Sequence, residues 1–164
     1  MPLIQLETII KSEIHICFDL SRSIDLHKIS MAHTNEKAVA GRTSGLIQFG
    51  EVVTWEARHL GIKQNLTSKI TAYNRPFHFR DEQVQGIFKS IIHDHNFEQR
   101  GETVIMKDAF NFESPLGVLG KVATVFFKRY LTKLLINRNN TIKEYAESRK
   151  WKLVIDPVTH PQQT

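Results

Sequence analysis

The sequence predicts an α+β domain: a strongly curved antiparallel sheet of about seven strands covered by one long C-terminal helix. Three observations predict it. Most of the chain before residue 114 alternates apolar and polar residues with period two, interrupted by short turns containing glycine or proline. Two short helical signatures follow the first strand. After Ser114-Pro115, the residues Leu116, Leu119, Gly120, Ala123, Phe126, Phe127, Tyr130, Leu131 and Leu134 recur at three- and four-residue steps, the apolar stripe of a helix.

Taken in order, residues 3–11 alternate Ile4, Leu6, Thr8 and Ile10 against Gln5, Glu7 and Lys11, a strand pattern. Ser12 is placed to cap a short helix carrying Ile14, Cys17, Phe18 and Leu20. Ser23 is placed to cap a second, 24–31, with Leu26 and Ile29 turned inward. Residues 38–40 read as a short strand ended by Gly41-Arg42-Thr43-Ser44-Gly45. Longer strands follow at 51–60, 62–74, 77–84, 87–99 and 102–113, joined by connections short enough to force antiparallel neighbours. The last helix opens with Ser114 as N-cap and Pro115 in the first turn, and runs toward Arg149. Lys121, Lys128, Arg129, Lys133 and Arg138 fall on its expected solvent side. Phe126, Tyr130 and Leu134 are expected to anchor it. Leu116 to Ala123 is expected to gate any space beneath, because Gly117 and Gly120, each costing about 1 kcal/mol relative to alanine in a helix, leave room there. One domain is expected over 1–150, with 151–164 as a loosely held tail.

Composition narrows the function classes. With 164 residues, 41% apolar and 24% charged, the chain suits one globular domain with a sizeable core. No run of about eighteen apolar residues is present, so no membrane span is expected. The start, Met1-Pro2-Leu3-Ile4-Gln5, lacks signal-peptide features, and the lone Cys17 suits a reducing compartment, so a cytoplasmic location is expected. Cys17 itself reads as a small core residue. A net charge of +5 and a pI near 9.4 raise nucleic acid as a partner. Yet eight Lys or Arg against only Glu144 and Glu147 lie between 115 and 150, so most of the excess sits on one helix. Basic and aromatic residues do not interleave, and nucleic acid is not the expected partner.

The densest polar pattern is Ile91-Ile92-His93-Asp94-His95-Asn96-Phe97, turning at Arg100-Gly101. Residues two apart in a strand share a face, which puts His93, His95 and Phe97 together, and Val104, Met106, Asp108, Phe110 and Phe112 beside them on the returning strand. A turn setting Gln99 opposite Glu102 predicts the pairs Phe97–Val104, His95–Met106 and His93–Asp108. Three readings of this face stay open: a satisfied buried pair, the polar end of an apolar pocket, and a metal or catalytic site. The metal reading suffers because the next carboxylate, Glu98, has the wrong parity, and no metal is expected. Asp81 and Gln83 share a face with Phe77 and Phe79, so Asp81 can look inward while Arg80 and Glu82 look out. Trp55, in phase with Val53 and Ala57, is a core residue or pocket wall. His33, His59 and His78 are expected to be solvated. A Gly-rich phosphate loop, a Gly-x-Ser-x-Gly elbow and a Cys-x-x-Cys pair are all missing, and no cofactor is expected.

Gly50-Glu51-Val52-Val53-Thr54-Trp55, Ile70-Thr71 and Pro76-x-x-Phe79-x-Asp81-x-Gln83-x-x-Gly86 together resemble the SRPBCC ligand-binding families, the superfamily of START domains, polyketide cyclases and birch-pollen allergens. His93-x-His95-x-Phe97, Thr103, Asp108 and Ser114-Pro115-x-Gly117 resemble a bacterial branch of it, and the likeness runs over residues 3–149. The resemblance implies a helix-grip fold with a cavity between sheet and helix, and apolar ligands such as lipids, sterols or polyketides; some members catalyse cyclisation, dehydration or hydrolysis. Carried over by position, His93, His95, Asp81 and Asp108 are the polar motif residues, with Phe79 and Phe97 as motif aromatics. Met106, Phe110, Trp55, Leu116, Gly120 and Ala123 complete the expected ligand-facing set. The expected function is binding or carrying a small hydrophobic molecule. The alternatives are a cyclase or dehydratase using His93 as base with Asp108 behind it, and an interaction module using the basic helix face.

Overall fold

The computed structural model describes residues 1–114 and 120–155. Strands β1 (Leu3–Ile10), β2 (Lys37–Gly41), β3 (Val52–His59), β4 (Ile62–Asn74), β5 (His78–Gln85), β6 (Ser90–Arg100) and β7 (Thr103–Glu113) form one antiparallel sheet. Its order is β1-β7-β6-β5-β4-β3-β2, so the first strand pairs with the last. Helices α1 (Ile14–Ser21) and α2 (Ile24–Ser30) carry the chain from one edge of the sheet to the other, and α3 (Gly120–Glu147) lies in the concave face. This is the helix-grip fold. Two register shifts in β4, between Thr67 and Ser68 and between Ile70 and Ala72, supply curvature, since each bulge bends its strand and adds twist.

Turn chemistry sets the registers. Between β3 and β4 the two central residues, Leu60 (φ +53°) and Gly61 (φ +79°), both take positive φ, the type I′ geometry that matches strand twist. Between β6 and β7 the positive φ belongs to Gly101 (+58°). The loop is therefore Gly101-Glu102, Arg100 pairs Thr103, and the hairpin runs two residues out of the expected step. Phe97 faces Met106, His95 faces Asp108 and His93 faces Phe110. A slip of two preserves every face while changing every partner.

Local caps differ in one place. Ser23 accepts a hydrogen bond from the Leu26 amide and caps α2 as its sequence indicates. The cap of α1 is Glu13, not Ser12, with no side-chain bond. The free amide of Ile14 donates instead to Gln99 Oε1 (2.8 Å), whose own amide nitrogen is pinned on carbonyls of the β6–β7 turn. Ile29, expected inward, is 46% exposed, because the short α2 buries only the side carrying Ile24 and Leu26.

The core has two parts. Around α1, Phe18 is fully buried and meets Tyr73, Phe79 and Phe97 edge-on at 5.4–5.5 Å. At the β1–β7 side, Ile4, Ile91, Phe110 and Phe112 pack with Leu135 of α3. Cys17 is a core residue, its thiol pushed up to about 12 by burial. Of the expected tail, residues 151–155 are described, with α4 at Lys152–Ile155: Val154 is buried, and Trp151 and Ile155 pack on the α1 cluster; residues 156–164 lie outside the described residues. Apolar side chains at that spacing had a place to bury that residue numbers alone do not reveal. Among the described residues no helix is long and apolar enough to cross a membrane.

Candidate functional site

Between the two core clusters the concave face turns polar. Alternation on β5 and β6 brings Asp81, His93 and His95 inward, β7 adds Asp108, and α3 adds Arg138 and Asn139. His93 donates from Nε2 to Asp108 Oδ1 (2.9 Å), and His95 from Nε2 to Asp81 Oδ2 (3.0 Å). The remaining nitrogens face the same carboxylates crosswise: His93 Nδ1 is 3.8 Å from Asp81, and His95 Nδ1 is 3.1 Å from Asp108. That last approach lacks hydrogen-bond geometry, which leaves His95 Nδ1 buried without a bond. Phe79 stacks on His95 (4.1 Å), and Phe110 meets His93 edge-on (5.0 Å).

Asp108, 2% exposed, is held from behind. Asn139 donates to its Oδ2 (2.7 Å), and the Arg138 guanidinium lies 3.7 Å from Oδ1 while donating to the Ser21 carbonyl at the end of α1 (2.8 Å). Asn137 does the same for the α2 end through the Ser30 carbonyl. Two helix C-termini whose carbonyls lack helical partners are thus closed by α3. Burial alone would raise the Asp108 carboxyl, but the hydrogen bond from His93 and the close approach of the His95 ring outweigh it and hold the group well below the usual carboxylate range. Asp81 is likewise lowered against the effect of burial, chiefly by its bond from His95. Burial, then the neighbouring His95, pulls His93 below its ordinary value. Burial also lowers Arg138, opposed by Asp108 and Asp81.

This wall fronts a cavity of about 220 Å³ between sheet and helix. Of the expected set, Trp55, Phe79, Asp81, His93, His95 and Phe110 line it. Phe97, Met106 and Asp108 stand behind in the core. Leu116 lies outside the described residues, and of Gly120 only the backbone is described. The helical wall runs from Phe127 through Leu131, Leu134 and Leu135 to Arg138, without Ala123. The anchor half of the expected division is corrected: among the described residues the middle turns of the helix face the cavity, and Phe126, expected as an anchor, is 50% exposed, while most of the expected gate, residues 116–119, lies outside the described residues.

Sequence reading missed four participants. Arg138, assigned to solvent, is 6% exposed, and Asn139 was passed over. The signal was present, since 131, 134, 135, 138, 139 and 142 continue the helical stripe and only side-chain charge argued against it. His59 donates to or accepts from Tyr130 Oη (2.9 Å), and His27, its ring tilted against Trp55 (4.3 Å), contacts Glu36 (3.0 Å). These groups line the cavity toward the β2–β3 edge. His78, also expected to be solvated, bonds Asp94 (2.7 Å) on the outer face.

No family model matches the chain, and no curated protein matches it by sequence. Solved structures do. Ginseng major latex-like protein 151 from Panax ginseng, 18% identical, superposes with a TM-score of 0.66 over 90% of this chain and 98% of that one. A START superfamily protein from Mycobacterium smegmatis, 9% identical, gives 0.68 over 88% and 97%. Ara h 8.0201, 13% identical, gives 0.62 over 86% and 97%. At these identities the likeness is one of fold, and the fold is that of the SRPBCC-type proteins the sequence motifs resemble.

Proposed function

We propose that the protein binds a small hydrophobic molecule with a polar or acidic head, its apolar part between the sheet and α3 and its head against Asp81, His93 and His95. One observation carries the reading: a mostly apolar cavity of about 220 Å³ has a dense polar cluster built into its wall. Cavities of roughly 150 Å³ with apolar linings already take benzene-sized guests. Each 100 Å² of apolar ligand surface buried contributes about 2.5 kcal/mol, so affinity would come from the walls and orientation from the polar cluster. The likeness in fold to a START superfamily protein agrees with this reading.

Native mass spectrometry of protein purified from its host is expected to reveal a co-purifying small molecule. Displacement of an apolar fluorescent probe should weaken at least tenfold in Leu131→Trp, which fills the cavity, with circular dichroism unchanged. A host preparation without ligand and a probe indifferent to Leu131→Trp would overturn the proposal.

A second reading rests on the 2.9 Å contact of His93 with Asp108, the arrangement of a general base whose tautomer is fixed by a carboxylate. A cyclase or dehydratase of this kind would lose turnover in His93→Gln while keeping its ligand; unchanged turnover would remove His93 from the chemistry. An interaction module on the basic face of α3 has less support, because Arg138 leaves that face for the interior.

A further inference from the structure

His93-x-His95 finds no third ligand on its own strand, since Glu98 points the other way. The neighbouring strand supplies one. Asp81 pairs with His93 across β5 and β6, and its Oδ2 lies 3.0 Å from His95 Nε2 and 3.8 Å from His93 Nδ1. We propose that Asp81, His93 and His95 form a binding site for one divalent first-row transition-metal ion of the iron(II), manganese(II) or zinc(II) kind.

Geometry is the first support. One ligand atom from each residue lies within 4.8 Å of the others. An ion bonded at about 2.1 Å to each holds ligand atoms roughly 3.0 Å apart at right angles and 3.4 Å at tetrahedral angles, so small side-chain rotations close the site. Two imidazoles and one carboxylate on one side of an ion, with the remaining positions open, suit these metals. Here the open side is the cavity, where a quarter of the Asp81 side chain is exposed.

The surroundings are the second support. Metal-bound histidines almost always donate their other ring N–H to a carboxylate or carbonyl. The nitrogens of His93 and His95 turned away from the proposed ion both face Asp108, at 2.9 and 3.1 Å, and Asn139 fixes that carboxylate. An ion on His95 Nε2 moves the ring proton to Nδ1, the buried nitrogen that otherwise has no bond, and turns it toward Asp108. Charge is the third support. Two carboxylates against one buried guanidinium leave one surplus negative charge in a low-dielectric wall, and a dication reverses it.

The site stands independently of the apolar ligand, so the metal alone tests it. The full chain, stripped with a chelator and desalted, is titrated with cobalt(II) chloride by calorimetry and visible absorption. The expected result is one ion per chain, ligand-field bands, and a higher melting temperature. Asp81→Asn should remove the bands and weaken binding by more than the roughly 10–100-fold expected for the supporting Asp108→Asn. Asp94→Asn, on the outer face, should bind as the parent does. Folded parent protein without saturable cobalt binding, or Asp81→Asn binding like the parent, overturns the proposal. An apolar probe displaced from the metal-free protein would in either case leave the ligand reading intact, which separates the two failures.

Discussion

On the outer face of the β5–β6 ribbon, Asp94 accepts hydrogen bonds from Arg80 (2.8 and 2.9 Å) and His78 (2.7 Å). One residue along the same strands, on the inner face, Asp81, His93 and His95 meet Asp108 and Arg138. Both faces use carboxylates, imidazoles and a guanidinium at hydrogen-bond distance. They differ in solvent. The Arg80 side chain is 39% exposed, whereas those of His95 and Asp108 are 2% and 0%. Outside, water screens each charge and would replace any lost partner. Inside, every charge relies on the others, and only a ligand or an ion entering the cavity can add to them. The same residue types thus form an ordinary surface network on one side and a buried, interdependent cluster fronting the cavity on the other.

The largest test of that contrast is Asp108→Ala. It strips His93, Asn139 and Arg138 of a common partner, and removal of one member of a buried ionic cluster costs about 3–5 kcal/mol. Urea unfolding should show that loss; a cost below about 1 kcal/mol would place the inner cluster with the outer one.

The pH dependence of stability, measured with a chelator present so that only protons compete for the rings, should be intermediate in size. His93 has its folded value drawn below the ordinary 6.5 by burial, so the unfolded chain takes up the proton first. Stability is then full above about 6.5 and falls as the pH drops toward the lower folded value. Asp108, lowered well below 3.8, keeps its contribution above that pH and loses it on further acidification. The expected curve has two descending steps, and His93→Gln should shrink the upper one, to which His59, also lowered by burial, contributes the remainder. A flat profile from pH 7 to pH 5 would contradict the buried neutral His93.

The smallest effect belongs to Asp94→Ala. Its carboxyl is held below the usual range against burial by Arg80 and His78, but solvent discounts the interaction to about 0–1 kcal/mol. A melting-temperature change as large as that of Asp108→Ala would erase the distinction between the faces.

Much of the inner face was legible beforehand because strand parity is local. His93, His95, Phe97, Met106 and Asp108 fall on one side whatever the register, and a slip of two residues at Gly101 left them there. Asp81 followed by the same rule from the next strand. The partner of each was not legible, since it depends on which residue of the turn takes positive φ. Nor were the helix contributions. A charged residue at 138 reads as solvent-facing by default, and only the Ser21 carbonyl, 117 residues away in sequence, and Asp108 on the last strand give it reason to turn inward.

The seven strands, the two short helices, the long helical stripe and the inward histidines were thus determined by the sequence alone, because periodicity, turn residues and caps act over a few neighbours. The cavity, the turns of α3 that wall it, and the joining of Asp81, His93, His95, Asp108 and Arg138 into one cluster were decided only in three dimensions. They depend on sheet curvature and on how low-dielectric burial makes distant charges depend on one another, and neither is a property of any short stretch of chain.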